Sequence, residues 1–182
     1  MYTCRVRVFV AAGMFGNPTE KMKREAIAAG TILGRNGYTL LQGGSNAGMM
    51  GLTLTEFLKY SSDVEAIVPE IYKSDVAGLT FKKVHLAKDL SERLHLITQQ
   101  SDKIIVLPGG QGTLLELLYA NESKRAMEHN CEIFVVNADG IYRGLQQQIS
   151  DMRRYGLTDT SKTMISFVGT VSECFREQVK EY

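Results

Sequence analysis

The chain has 182 residues, of which 44% are apolar and 23% are charged, and its formal net charge is +1 at neutral pH. This composition is typical of one globular domain with a full hydrophobic core, and the balanced charge argues against a nucleic-acid-binding surface. The three cysteines are widely spaced, which argues against a disulfide framework and favours a reducing cytoplasm. We therefore expect one domain over residues 1–182, with no secretion signal and no membrane-spanning segment.

Short apolar runs alternate with longer amphipathic runs, and this alternation predicts βαβ units around a mostly parallel sheet. The run 104–107 is apolar at successive positions, which suits a strand covered by helices on both faces. The predicted fold class is a Rossmann-like α/β domain with three layers, α/β/α. Seven strands are expected, at residues 5–11, 38–42, 64–69, 83–86, 103–107, 132–136 and 165–168.

Helix starts are marked by a capping residue followed three positions later by an acid. In the first, Asn17 is followed by Pro18 and Glu20, so a helix is expected from there until Gly37 ends it. The same spacing predicts three further helices, which open at Asp89, Thr113 and Thr170. The last of these is expected to run to Glu181 and to pack on the edge of the sheet.

Two glycine-rich segments follow predicted strands. Residues 43–51, the first glycine loop, come directly after one strand, and residues 108–113, the second glycine loop, come directly after another. In a parallel sheet such loops lie at the carboxyl ends of the strands, where ligands bind, and the helix N-termini beside them attract anions. The sequence therefore predicts that both loops line a phosphate-binding site.

Other ligands of glycine-rich loops fit less well. No Gly-Lys-Ser or Gly-Lys-Thr follows either loop, which argues against an ATPase or a kinase. Gly44, Gly48 and Gly51 are not spaced as in dinucleotide-binding loops, although Glu70 stands about where a ribose-binding acid would, so NAD(P) stays a weak alternative. No metal is expected, because the histidines share no ligand spacing.

Residues 108–116 read Pro-Gly-Gly-Gln-Gly-Thr-Leu-Leu-Glu and resemble the P-G-G-x-G-T-x-x-E signature of the LOG family, the cytokinin riboside 5′-monophosphate phosphoribohydrolases. The resemblance covers almost the whole chain, including residues 8–18, the first glycine loop, Arg93 and residues 137–142. It implies a Rossmann-type fold that hydrolyses the base–ribose bond of a nucleoside 5′-monophosphate without a cofactor. Members of the family have often been labelled lysine decarboxylases, but no lysine here stands out as an aldimine former.

The resemblance also implies a role for individual residues. The first glycine loop would line the site at Gly43 and Gly44, and Arg93 and Glu116 would carry the catalysis. The residues implied to hold the substrate phosphate are Gly109, Gly110, Gly112 and Thr113. The chemistry is consistent, because a carboxylate stabilises an oxocarbenium-like state and positions water, while arginine offers fixed donors to a phosphate or a departing base.

Several of these residues also have purely structural explanations. Glu116 stands three positions after Thr113, which is the spacing of a helix capping box. Arg93 borders the apolar seam of its helix, where an arginine commonly packs its stem or forms a salt bridge. Met49 and Met50 follow the first glycine loop and suit either an apolar wall for a base or core packing.

The chain departs from the family pattern at positions that concern the substrate. Leu94 stands where the family commonly has a lysine, Leu115 stands where it commonly has a second glutamate, and tryptophan is absent. These departures argue against a cytokinin and leave the base open. Relatives on this fold include hydrolases of pyrimidine monophosphates and proteins that only bind, such as molybdenum-cofactor carriers and nucleotide sensors, so a binding protein is the alternative. The resemblance implies a homodimer, and neither a nucleic-acid nor a membrane partner is expected.

Overall fold

The computed structural model describes residues 5–158 and 164–176. The strands are β1 (Arg7–Ala11), β2 (Thr39–Gln42), β3 (Val64–Pro69), β4 (Lys83–Ala87), β5 (Lys103–Val106), β6 (Glu132–Val136) and β7 (Ser166–Val168). The α-helices are α1 (Glu20–Arg35), α2 (Gly48–Phe57), α3 (Leu90–Gln100), α4 (Gln111–Arg125) and α5 (Arg143–Arg154). All seven predicted strands are confirmed to within about two residues at either end. Among these helices, none is long and apolar enough to cross a membrane.

The strands form one sheet in the order β4-β3-β2-β1-β5-β6-β7, and all neighbouring pairs are parallel. The chain winds outward from β1 to β4 and then returns to the other side of β1 to form β5. The winding direction therefore reverses between β1 and β5, which leaves a crevice at the carboxyl ends of these two strands. In open α/β sheets this crevice is the usual place for a ligand.

Helices cover both faces of the sheet. Val8 and Val10 of β1 pack into the apolar cluster that contains α1 and α2, whereas Phe9 and Ala11 pack into the one that contains α3 and α4. Side chains alternate across a strand, so a strand that is apolar at successive positions is buried on both sides. The three-layer α/β/α prediction is confirmed, and the burial of the strands holds the loops at their carboxyl ends in fixed positions.

Two helix starts test the capping pattern. Asp89 caps α3 as predicted, since its Oδ1 accepts a hydrogen bond of 2.8 Å from the amide of Glu92. For α1 the prediction of Asn17 is wrong, because the cap is Thr19, whose hydroxyl accepts a bond of 3.2 Å from the Met22 amide. A residue before proline is restricted to extended backbone, and here Thr19 is still extended before the helix begins at Glu20.

Of the other two predicted caps, Thr113 is wrong and Thr170 is in the capping position of a different kind of helix. Thr113 lies inside the first turn of α4, and the capping position belongs to Gly110, which has no side chain to offer. Thr170 does precede a helical segment, but this segment is a short 3-10 helix, Val171–Phe175. The predicted continuation to Glu181 lies outside the described residues.

An ionic cluster lies at the opposite, amino-terminal edge of the sheet. The buried carboxylate of Asp63 accepts hydrogen bonds from Lys82 Nζ at 2.6 Å, from Arg5 Nη1 at 2.9 Å and from Thr39 Oγ1 at 2.9 Å. Burial by itself would raise the pKa of Asp63, but these three donors hold it at about 2 instead of 3.8. The carboxylate therefore contributes stability above its unfolded pKa, and this contribution is lost as the pH falls towards 2.

We expect Asp63→Asn to lower the free energy of unfolding at neutral pH by about 1–2 kcal/mol, since both cationic partners are largely solvated. We also expect it to flatten the loss of stability between about pH 4 and pH 2. Urea unfolding followed by circular dichroism at a series of pH values measures both effects. Asp151→Asn, which removes an ion pair from an exposed face of α5, is the control. If the stabilities of the wild type and Asp63→Asn depend on pH in the same way, Asp63 does not contribute the pH-dependent part of the stability.

Candidate functional site

Three loops meet at the carboxyl edge of the sheet. The amide of Gly13, after β1, donates to the carbonyl of Pro108 in the second glycine loop at 3.1 Å. The carbonyl of Gly13 accepts bonds from the amides of Met49 and Met50, at 2.9 and 3.3 Å, which belong to the first glycine loop. The loop after β1 thus joins the two glycine loops that the sequence singled out.

The helix N-termini that follow the two glycine loops differ in availability. In α2 the amides of Met49 and Met50 are occupied by the Gly13 carbonyl. In α4 the first intrahelical bond runs from Leu114 to Gly110 at 3.1 Å, and no side chain caps the amides that precede it. The first turn of α4 also has no acidic residue. The positive end of the α4 dipole, with the amides of Gln111, Gly112 and Thr113, is therefore not neutralised by any side chain of its own first turn.

The implied phosphate-binding residues play two different parts in the second glycine loop. A side-chain carbon on Gly109 would lie 2.1 Å from Thr113 Oγ1, so the loop packs on α4 too closely for any other residue. Thr113 itself is buried. Gly110 and Gly112 are exposed, and a side-chain carbon on either would meet nothing within 4 Å. Gly109 and Thr113 shape the loop, while Gly110 and Gly112 leave open backbone beside it.

Arg93 and Glu116, which are far apart in sequence, form a buried ion pair. Arg93 Nη2 donates to Glu116 Oε1 at 2.5 Å, and Arg93 Nε donates to the carbonyl of Ile67 at 3.1 Å. Only 12% and 8% of the two side chains are exposed. The capping-box explanation for Glu116 is wrong, because Thr113 is not the cap and the carboxylate faces α3. The structure thus brings together the two residues implied to be catalytic.

Burial gives Glu116 unusual protonation behaviour. Burial raises the pKa of Glu116 above its ordinary value, although the charge and the hydrogen bond of Arg93 oppose this effect. Arg93 is the only donor that reaches this carboxylate among the residues that the structure describes, and it binds Oε1. Oε2 is left for a ligand or for water. A buried carboxyl group with a raised pKa and an oxygen that no described donor occupies is suited to proton transfer.

The first glycine loop touches this pair through Gly43. A side-chain carbon on Gly43 would lie 3.0 Å from Arg93 Nη2 and 3.2 Å from Met50 Cε, so its backbone packs directly on the guanidinium. Gly44 has a φ of +83°, and a side chain there would meet Val76 at 2.6 Å. Gly43 therefore lies against the ion pair, while Gly44 supplies the turn that anchors the loop.

The apolar residues noted in the sequence fall into two groups. Met49, Met50 and Leu94 are buried, and both methionines belong to the core, which favours the packing explanation for them. Leu115 is 41% exposed and Leu118 is 48% exposed on the outer side of α4. Leu94, the first departure from the family pattern, is thus a buried side chain, whereas Leu115, the second, exposes apolar surface.

Tyr142 is bonded to the residue that precedes the second glycine loop, and the sequence analysis assigned it no role. Its hydroxyl donates to the Leu107 carbonyl at 2.7 Å, and its amide donates to Asn137 Oδ1 at 2.8 Å. Burial raises the pKa of Tyr142, and the Glu116 carboxylate adds to this effect. The only sequence signal was its place in the segment 137–142, which belongs to the family resemblance.

We expect Tyr142→Phe to destabilise the protein by about 1–3 kcal/mol, because it leaves the Leu107 carbonyl buried without its donor. It should also weaken nucleotide binding, since the second glycine loop follows directly after Leu107. Thermal unfolding and calorimetric titration measure the two effects. Tyr155→Phe, at a side chain that is 69% exposed, is the matched control. Equal stability and affinity for both variants would show that the hydroxyl does not support the loop.

Two of the three histidines are bonded within the fold, and His95 is exposed. His85 Nε2 lies 2.5 Å from Glu65 Oε2, and His129 Nε2 lies 3.0 Å from the Ala120 carbonyl. Over the described ranges no three histidine, cysteine or acidic side chains are grouped as a metal site would require.

The protein is a Rossmann-like α/β protein. The reversal of its strand order leaves a crevice, and the uncapped end of α4 and the buried ion pair lie at that edge of the sheet. The family described as "possible lysine decarboxylase" matches residues 50–177, which is more than half of the chain. The chain belongs to this family, which is the LOG family, and the resemblance drawn from the signature is confirmed.

Relatives in plants share about a quarter to a third of their residues with this chain. The probable cytokinin riboside 5′-monophosphate phosphoribohydrolase LOGL1 of Oryza sativa subsp. japonica is 31% identical over 118 residues, which are 64% of this chain and 53% of that protein. Its homologue LOGL2 is 28% identical over 97% of this chain and 72% of its own length. LOG1 of Arabidopsis thaliana, a cytokinin riboside 5′-monophosphate phosphoribohydrolase, is 29% identical over 76% of this chain and 66% of its own length. The chain thus spans between about half and three quarters of these relatives.

Solved structures with the same fold include proteins that bind the molybdenum cofactor. The molybdenum cofactor binding protein of Rippkaea orientalis superposes with a TM-score of 0.70 at 19% identity, over 94% of both chains. The molybdenum cofactor carrier protein of Chlamydomonas reinhardtii superposes with a TM-score of 0.71 at 14% identity, over 93% of both chains. At these identities the likeness concerns the fold.

Proposed function

We propose that the protein hydrolyses the N-glycosidic bond of a nucleoside 5′-monophosphate and releases the free base and ribose 5-phosphate. The observation that carries the proposal is the buried pair of Arg93 and Glu116 close to an uncapped helix N-terminus. The names of the plant relatives support the same reaction.

The phosphate is placed at the start of α4. The amides of Gln111, Gly112 and Thr113 have no side-chain cap, and the helix dipole favours an anion there. Gly110 and Gly112 leave room for the phosphate oxygens to approach the backbone. Gly109 and Thr113 hold this loop in shape, and Gly43 lines the crevice next to Arg93.

Glu116 is the group that acts on the sugar and on water. When the bond between C1′ and the base nitrogen breaks, the bonding electron pair leaves with the base, and positive charge develops on the sugar. A nearby carboxylate stabilises this charge and accepts a proton from the water that adds to C1′. The base nitrogen takes up a proton, so the net reaction consumes one water. Arg93 fixes the carboxylate through Nη2 and is itself fixed by the Ile67 carbonyl.

Chromatography tests the reaction directly. The purified protein is incubated separately with AMP, CMP, GMP, UMP and isopentenyladenosine monophosphate, and the free base and ribose 5-phosphate are quantified. We expect equal amounts of both products from at least one nucleotide, and none from the corresponding nucleoside, which lacks the phosphate. Both unmodified and isopentenylated bases are included, because the sequence departs from the family pattern at 94 and 115 and leaves the base open. Failure to release base from any nucleotide would contradict the proposal.

A protein that only binds its ligand is the second candidate. The same loops would then hold a nucleotide, or the molybdenum cofactor that appears in the names of the two structural neighbours. Tight binding in calorimetry without base release would favour it. Lysine decarboxylation has less support, because none of the residues brought together at the site above is a lysine.

A homodimer is part of the proposed functional state. Leu115 and Leu118 expose apolar surface on the side of α4 that faces away from the buried Glu116. Adjacent apolar side chains at a surface often mark a protein interface. A second copy of the chain on this face would lie one helix away from the site, and light scattering gives the oligomeric state.

A further inference from the structure

A glutamine lies in the core directly before the first glycine loop. Gln42 is the last residue of β2, and only 1% of its surface is exposed. Neither its side-chain oxygen Oε1 nor its side-chain nitrogen Nε2 has a hydrogen-bond partner, and over the described ranges no other side chain has buried polar atoms in this state. A buried amide without partners costs stability, and proteins retain such a group where it serves another purpose.

The side chain of Gln42 lies on the face of the sheet that α1 and α2 cover. Leu40, two positions earlier, packs into the apolar cluster that contains these helices, and side chains two positions apart on a strand share a face. The neighbour of Gln42 on β3 is Ala66, which packs with Val68 and Val76. The side chains beside the glutamine amide on β3 are therefore apolar, and they offer it no hydrogen bond.

The first glycine loop folds over the same row of side chains. A side-chain carbon on Gly44 would lie 3.7 Å from Ala66 Cβ and 2.6 Å from Val76 Cγ1. Because Ala66 is paired with Gln42 in the sheet, the backbone of Gly44 covers the core next to the glutamine. Gly44 is itself buried. The first glycine loop is therefore the part of the chain that separates the Gln42 amide from the crevice.

This loop has backbone donors that are not used. Within the part of the chain that the structure describes, the amides of Gly44, Ser45 and Asn46 donate to no protein acceptor. The next amide, that of Ala47, donates to Ser45 Oγ at 3.1 Å. A small shift of residues 44–46 towards Gln42 thus breaks no hydrogen bond of these amides, and it brings donors to an acceptor that has none.

We propose that Gln42 is a positioning residue for the first glycine loop, and that its amide bonds to the backbone of residues 44–46 when a nucleotide occupies the crevice. The inference rests on the proposed function. Gly43 joins Gln42 to this segment and lies against Arg93, so a nucleotide bound at the ion pair meets the loop beside Gln42. Bonds that form only with the nucleotide bound add to its affinity, while the unpaired amide lowers stability without it.

Thermal unfolding without nucleotide gives the first test. Methionine is unbranched like glutamine but has no amide that needs partners, so we expect Gln42→Met to raise the unfolding midpoint by about 2–4 °C. Thr39→Val is the matched control, because Thr39 is buried at the other end of β2 and its hydroxyl donates to Asp63 at 2.9 Å. The control should lower the midpoint. If Gln42→Met also lowers it, the amide has its partners without nucleotide, and the inference is overturned.

Calorimetry and hydrogen exchange give the readouts with nucleotide. AMP, CMP, GMP and UMP are titrated separately into proteins that also carry Glu116→Gln, so that the nucleotide is not consumed. We expect Gln42→Met to weaken the binding of each nucleotide that binds by about tenfold, and Thr39→Val to leave it unchanged. Saturating nucleotide should slow amide exchange in residues 44–46 when Gln42 is present, and much less in the Gln42→Met variant.

The outcomes separate this inference from the proposed function, because base release by the wild type is measured independently. Equal affinity and equal slowing of exchange with and without Gln42 would overturn the inference while base release still supports the hydrolase. The expected binding pattern without base release would support the role of Gln42 and contradict the hydrolase alone. If the wild type neither binds nor hydrolyses any of the four nucleotides, both fail together.

Discussion

Replacement of Glu116 by glutamine is expected to lower kcat for base release by about a thousandfold while the nucleotide still binds. Glutamine has the same shape, and its amide oxygen still accepts the hydrogen bond that Arg93 Nη2 gives to Glu116 Oε1. What the variant loses is the negative charge that stabilises the oxocarbenium-like state and the group that takes a proton from water. General base catalysis and electrostatic stabilisation are each worth about 10²–10⁴-fold.

Initial rates by chromatography and affinity by calorimetry separate chemistry from binding in this variant. Glu122→Gln is the matched control, because it lies on the same helix, is largely exposed and pairs with Arg125 on the surface. It should retain wild-type kcat. A Glu116→Gln enzyme within about tenfold of wild type would remove Glu116 from the mechanism, and loss of nucleotide binding would give it a structural role instead.

The strands could be predicted from the sequence because their burial is local information. A strand covered on both faces is apolar at successive positions, as residues 104–107 are, and all seven segments predicted as strands became strands. The reversal of strand order was not visible in this pattern, since it depends on which side of β1 receives β5. The crevice could therefore be assigned to the glycine loops but not to a particular pair of strands.

One error at a helix start, the predicted cap Thr113 of α4, lies at the candidate site. The capping rule looks for a side chain that satisfies the first amides of a helix, and Thr113 had the required spacing. In the structure Gly110 occupies the cap and leaves those amides unsatisfied by any side chain. Sequences often depart from local rules at functional sites. Under the proposed function, the substrate phosphate would satisfy these amides.

The sequence predicted which residues belong to the candidate site, but it did not predict how they contact one another. The ion pair of Arg93 and Glu116 depends on how α3 and α4 pack, and the contact between Gly43 and Arg93 joins a loop to a helix on another part of the sheet. Neither of these contacts can be read from the spacing of the residues in the sequence. Tyr142 was missed for the same reason. Its hydroxyl bonds to the Leu107 carbonyl, which is 35 residues away in the sequence.

Replacement of Arg93 by glutamine is expected to shift the acid limb of the pH–rate profile to higher pH. Burial raises the pKa of Glu116, and the positive charge of Arg93 is what opposes this rise. Without that charge the pKa rises further, so less of the carboxylate is ionised at neutral pH and the rate falls by about a hundredfold or more. Because the catalytic form is the ionised one, the loss should be largest at low pH and should shrink as the pH increases.

The comparison of Arg93→Gln with Arg93→Lys separates the charge of Arg93 from its geometry. Lysine keeps the positive charge beside Glu116 but cannot hold the Ile67 carbonyl and the carboxylate at once with a planar group. Its acid limb should stay close to that of the wild type while its rate is reduced at every pH. The other titratable group beside Glu116 is Tyr142, which stays protonated because burial raises its pKa. If Arg93→Gln instead loses the same factor at every pH, Arg93 acts on the substrate directly and not through the ionisation of Glu116.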